Sequence, residues 1–143
     1  MAGYSGKPLA EKLGFKPGQR LGLLNPPMGY AAMIGPALKG LQIVDPPKHP
    51  LNVLHVFVMT AAESRKQIKK ARTLIADDGM IWVSWPKKAS GWQTDVTEDA
   101  IRDFALANDL VDVKVCAVDD TWSGLKLVIP VASRAKKTRA AAR

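Results

Sequence analysis

The chain has 143 residues, a formal net charge of +8 and 47% apolar residues. This is one domain's worth of chain with enough apolar side chains for a single core, and no run approaches the roughly 18 apolar residues of a membrane-spanning helix. One cysteine excludes an internal disulfide and fits a reducing cytosol. Residues 1–6 have no basic start leading into an apolar run, so a cytoplasmic location without a secretory signal is expected.

Lys7-Pro8-Leu9-Ala10-Glu11-Lys12-Leu13-Gly14 predicts a short helix, with Pro8 in the first turn and Gly14 as its stop. Pro17-Gly18 then turns the chain into a strand over 20–24. The next turn is Asn25-Pro26-Pro27-Met28-Gly29-Tyr30. A glycine-rich turn at this place in an α/β protein brings backbone N–H groups to a phosphate or cofactor. Here two prolines remove two donors and fix φ. A short helix over 30–34 and a strand over 41–44 follow, the latter closing on Asp45-Pro46-Pro47. The apolar, β-branched run 51–59 predicts a strand covered on both faces of a parallel sheet. Thr60-Ala61-Ala62-Glu63 fits a capping box, opening a helix to about residue 76. Arg65, Lys66, Lys69, Lys70 and Arg72 cover its polar face. Asp77-Asp78-Gly79 ends it, and 80–85 is another buried strand. Thr97 opens a helix to Asn108, and strands 110–118 and 124–129 form a hairpin around Asp119-Asp120-Thr121-Trp122-Ser123.

The alternation of strand and helix predicts a three-layer, Rossmann-like α/β fold with a mostly parallel sheet ending in an antiparallel β-hairpin. Residues 1–130 are expected to form one domain. Residues 131–143 are expected to be a disordered basic tail, with Arg134, Lys136, Lys137, Arg139 and Arg143 and no acid. Its sharper reading is an arm that attracts nucleic acid.

The segment 60–76, Asp77-Asp78-Gly79, 80–85, 97–108 and 110–129, in this order, resembles the class I S-adenosylmethionine-dependent methyltransferase fold. The short connection from Asp45 to Leu51 implies a sheet trimmed by one strand. The resemblance places Asp45 where such enzymes carry the acid that binds the cofactor ribose, while Asn25, two prolines and Gly29 replace the expected acidic, glycine-rich turn. The chain also resembles a small bacterial family catalogued as a domain of unknown function. That likeness rests on Gly3-Tyr4-Ser5-Gly6-Lys7-Pro8-Leu9, Trp85-Pro86-Lys87-Lys88-Ala89-Ser90-Gly91, Val113-Lys114-Val115-Cys116-Ala117-Val118 and Thr121-Trp122-Ser123-Gly124-Leu125, and it brings no activity with it.

Open α/β sheets bind ligands beyond the carboxyl ends of their strands. Asn25, Met28, Gly29, Asp45, Trp85, Lys87, Trp92 and Trp122 are expected to meet there. Indoles would stack on a ligand or partner, and lysines would attract an anion. Cys116 reads as a buried structural thiol, His55 as a satisfied interior histidine and Ser84 as a poor nucleophile. No spacing of His and Cys predicts a metal site, and no catalytic residue stands out. With its donor turn obstructed, the chain is expected to be a non-catalytic binding module for a protein partner or a small anionic or aromatic ligand, without a cofactor. The alternatives are a divergent methyltransferase using S-adenosylmethionine and a nucleic-acid-associated protein acting through its tail.

Overall fold

The computed structural model describes residues 7–134. Its sheet has six strands: β1 (Arg20–Leu24), β2 (Gln42–Ile43), β3 (Leu51–Phe57), β4 (Ile75–Pro86), β5 (Val111–Ala117) and β6 (Trp122–Val128). Their order across the sheet is β2-β1-β3-β4-β6-β5. The first four are parallel, and β6 is antiparallel to both β4 and β5. The architecture is therefore the expected Rossmann-like one. The antiparallel strand is inserted between β4 and β5, so the hairpin tip lies at the carboxyl edge of the parallel strands.

Helices α1 (Leu9–Lys12) and α2 (Tyr30–Ile34) cover one face; α3 (Ala61–Leu74) and α4 (Glu98–Ala107) cover the other. The α3/α4 face buries Leu54, Val56, Ile68, Ile81, Val83, Trp85 and Ile101. The α1/α2 face buries Leu13, Leu21, Tyr30, Phe57, Trp82 and Trp122. β3 contributes to both, which explains its burial along almost its whole length. The Trp82 indole N–H donates to the Leu13 carbonyl at 2.8 Å and pins the α1 end onto the sheet.

Thr60 caps α3, its Oγ1 accepting from Glu63 N–H at 3.0 Å. Glu63 reaches back to the Met59 N–H at 2.8 Å, which completes the predicted capping box one residue earlier than usual. Asp77-Asp78-Gly79, in contrast, does not stop the helix. α3 ends at Leu74, and β4 begins at Ile75 with an irregular stretch opposite Leu51 and Val53. Gly79 sits in that irregularity because a Cβ there would lie 2.7 Å from the Leu51 carbonyl oxygen. Backbone cannot yield as a flexible side chain can. Gly79→Ala is expected to lower stability by about 1–3 kcal/mol, read as a lower urea midpoint at unchanged m-value. An unchanged midpoint would show that the strand accommodates the methyl group.

Candidate site at the carboxyl edge

β1 ends at Leu24, and the φ of 56° at Asn25 then turns the chain sharply, a conformation asparagine tolerates better than most residues. The Asn25 side-chain N–H donates to Glu63 Oε2 at 3.3 Å. This bond crosses from the β1 turn to the first turn of α3, between neighbouring strands whose connections run to opposite faces of the sheet. Ligands in open α/β folds occupy that crevice. Met28 is fully exposed, and Gly29 has φ of 88° with open space where a side chain would be. Among the described residues, the Met28 and Gly29 N–H groups meet no acceptor. The prolines remove donors at 26 and 27, and the turn presents two donors immediately afterwards.

Asp45 is exposed at the end of β2. Between it and Pro26 lies a cavity of about 260 Å³, lined by Leu23, Pro26, Ile43, Val44 and Asp45. Small-molecule sites begin at about this size. A second, more open depression of about 610 Å³ lies beyond β3 and β4, lined by Met59, Thr60, Lys88, Trp92, Gln93 and Asp95 among others. Its loop is tied down by Thr94 Oγ1 donating to the Met59 carbonyl at 2.6 Å and by the Ala61 N–H donating to Asp95 Oδ1 at 2.7 Å.

The three tryptophans do not form one surface. Trp85 is 8% exposed and packs in the α3/α4 core; Trp122 is 7% exposed in the α1/α2 core. Trp92 alone is open, at 55%, with its ring 6.3 Å from that of Trp122. Lys87 is half-buried, and its backbone N–H donates to Thr121 O, closing the edge against the hairpin tip. Arg134 is described and donates from Nε to the Ile129 carbonyl. Lys136, Lys137 and Arg139 lie outside the described residues. Cys116, expected to be buried, is half-buried because β5 is an edge strand, and desolvation raises its pKa. Among the described residues no group of three His, Cys, Asp or Glu side chains stands where it could hold a metal, and no helix is long and apolar enough to cross a membrane.

Sequence reasoning missed the arrangement beneath this edge. Tyr30, the first residue of α2, places its hydroxyl 2.9 Å from His55 Nδ1 on β3; His55 Nε2 lies 2.8 Å from Ser84 Oγ on β4. All three residues are buried. Phe57 stacks on the imidazole at 4.3 Å and meets Trp122 edge-to-face at 5.0 Å. Burial keeps the ring neutral, with its pKa lowered to about 3, and raises that of Tyr30. The only sequence signal was a histidine inside an apolar strand.

No family model matches this sequence, and no curated protein sequence matches it. Solved structures do. Fibrillarin from Aeropyrum pernix, a complex with natively bound S-adenosyl-L-methionine, is 14% identical, with 88% of this chain and 70% of that chain covered and a TM-score of 0.55. A protein from Sulfolobus solfataricus assigned as a type 11 methyltransferase is 15% identical over 86% of this chain and 90% of its own, also at 0.55. Ribosomal protein L11 methylase from Lactobacillus delbrueckii is 10% identical, covering 85% and 74%, at 0.55. The chain has a methyltransferase-like fold. This corrects the expectation of a non-catalytic binding module: solved structures with this fold include a ribosomal protein L11 methylase, a protein assigned as a type 11 methyltransferase and a fibrillarin that holds S-adenosyl-L-methionine. The two prolines do remove donors from the turn, and a cavity lies beside them, between Pro26 and Asp45.

The His55 pKa generates a pH dependence with a definite sign. Its folded value of about 3 lies below the unfolded value near 6.5. Between these limits the unfolded chain binds a proton that the folded chain does not. The contribution is complete above pH 6.5 and is lost as pH falls, at up to about 1.4 kcal/mol per pH unit. Urea unfolding between pH 6.5 and 4.5 is expected to show this slope, and His55→Asn is expected to flatten it while lowering stability at pH 7. An identical slope in the variant would assign the effect to another group.

Proposed function

We propose that the chain is a divergent S-adenosylmethionine-dependent methyltransferase. The observation that carries this reading is the open carboxyl edge, where an acceptor carboxylate, two unpaired turn amides and an adjoining depression stand in one row. The donor set suits the cofactor. Asp45 would accept hydrogen bonds from the ribose hydroxyls. The Met28 and Gly29 N–H groups would meet the carboxylate of the methionine part. Glu63, already oriented by the Met59 N–H, would face its ammonium, with Asn25 released or shared. When bound, the cofactor supplies an electrophilic methyl group on a sulfonium.

The chain's own contribution is positional. Holding an acceptor in line beside a bound donor replaces a bimolecular encounter by an oriented one, which is worth several kcal/mol of barrier. The depression below Trp92 adjoins this edge and gives the acceptor a place, with the indole as a flat wall and Lys88 as a charge at its rim. The likeness of 3–9, 85–91 and 113–125 to a family of unknown function assigns no acceptor. A cytoplasmic location fits the single, partly covered thiol.

Thermal unfolding with S-adenosylmethionine and with S-adenosylhomocysteine tests this reading. Ligand at 100 times its Kd is expected to add about 2.7 kcal/mol to the stability. Asp45→Ala is expected to remove most of that gain while leaving the ligand-free protein unchanged, since Asp45 is exposed. No stabilisation by either ligand at millimolar concentration would overturn the assignment.

A further inference from the structure

The parallel strands have a second edge, opposite the one that carries Asn25 and Asp45, and it holds a cavity of its own. Gln19 lies just before β1, Asn52 is the second residue of β3, and Val128 is the last of β6, which runs the other way. With Lys16, Asp78 and Lys126 they line a space of about 360 Å³. That volume falls within the range of small-molecule sites. Met80 and Val128, which pack in the α1/α2 core, supply its apolar lining.

The polar groups on these residues are mostly unspent donors. Among the described residues, the Lys16 and Lys126 ammoniums and the Asp78 carboxylate form neither a hydrogen bond nor an ion pair. Gln19 Oε1 accepts from the Lys16 N–H at 2.9 Å, and Asn52 Oδ1 accepts from the Arg20 N–H at 2.7 Å. A backbone donor identifies the oxygen of each side-chain amide, so each keeps its NH2 group as a donor. Lys126 also stands directly opposite Lys114 across the β5–β6 ladder. Like charges so placed destabilise a sheet, and an anion beside Lys126 relieves that repulsion.

We infer that this cavity is a binding site for a small phosphomonoester that also carries hydroxyl groups. A phosphate monoester bears about −1.5 to −2 charge at neutral pH, which two lysines balance and one does not. The amide groups of Gln19 and Asn52 add neutral donors for its remaining oxygens. Asp78 can only accept, so it takes the hydroxyl donors of the ligand and repels a second anionic group. That selects a single phosphate over a polyanion. Met80 and Val128 pack against the carbon skeleton. The site lies across the sheet from the proposed cofactor edge and does not depend on it. It stands if the protein binds no S-adenosylmethionine, and it falls if the phosphomonoester binds at Met28 and Asp45 instead.

Titration of the full chain with ribose 5-phosphate, inorganic phosphate and ribose, followed through its amide chemical shifts, tests this. Ribose 5-phosphate is expected to give saturable shifts centred on Gln19, Asn52, Asp78 and Lys126. Inorganic phosphate should move the same amides with lower affinity, and ribose at the same concentration should leave them still. Lys16→Gln and Lys126→Gln should each weaken ribose 5-phosphate binding about tenfold, as loss of one charge-assisted hydrogen bond does. Asp78→Asn should weaken ribose 5-phosphate while strengthening inorganic phosphate, a split that general damage to the fold does not produce. Circular dichroism checks folding, and Lys16→Gln, at an exposed position, carries the test if Lys126→Gln does not fold. Four results would overturn the inference: no saturable shift up to about 10 mM ribose 5-phosphate, undiminished affinity in the folded lysine variants, equal affinity for inorganic phosphate and ribose 5-phosphate, or shifts centred on Met28 and Asp45.

Discussion

The carboxyl edge depends on one buried chain of hydrogen bonds, from Tyr30 through His55 to Ser84. It joins α2, β3 and β4, three elements from separate parts of the sequence. Tyr30 directly follows Gly29, so anchoring its hydroxyl in the core also anchors the end of the β1 turn. A buried hydrogen bond contributes only about 1 kcal/mol net, but a buried polar group left without a partner costs about 1–3 kcal/mol. The chain therefore works mainly as a constraint. An arrangement that misplaces α2 strands a hydroxyl or an imidazole nitrogen in an apolar core. The neutral imidazole is part of this constraint, because protonation would bury a charge with only hydroxyls beside it.

From this anchor the edge divides into two parts. Over β1 and β2 lie the turn donors, the exposed Asp45 carboxylate and the smaller cavity, whose other lining residues, Leu23, Pro26, Ile43 and Val44, are apolar. Over β3 and β4, the loop carrying Trp92 and Lys88 borders a broader depression. Glu63 stands where they meet, bonded on one side to Asn25 and on the other to the Met59 backbone. Trp85 and Trp122 support the edge from below, one on each face of the sheet, and leave Trp92 as the exposed indole.

Much of this fold was legible in the sequence because its signals are local. β1 and α2 lie where predicted, since Pro17-Gly18 and Gly35-Pro36 bound them. The Thr60–Glu63 capping box and the Thr97 cap mark the helix starts. Asp77-Asp78-Gly79 misled because it resembles a helix stop, whereas Gly79 serves a close approach of Leu51, which lies 28 positions earlier. The 41–44 strand shortened to two residues because it pairs with β1 alone at the sheet margin. The site was less legible. Counting the donors that Pro26 and Pro27 remove was correct locally, but it did not reveal the unpaired Met28 and Gly29 amides or the gap between Pro26 and Asp45. The partners of His55 lie 25 and 29 residues away, and no spacing rule reaches that far.

The most direct test of the cofactor edge is amide chemical-shift mapping by nuclear magnetic resonance as S-adenosylhomocysteine is titrated into the protein. Saturable shifts centred on Met28, Gly29 and Asp45, with smaller ones at Tyr30, are the result expected if this edge holds a nucleoside cofactor. A saturated titration in which those amides stay still while others move, or one in which nothing moves, would contradict it.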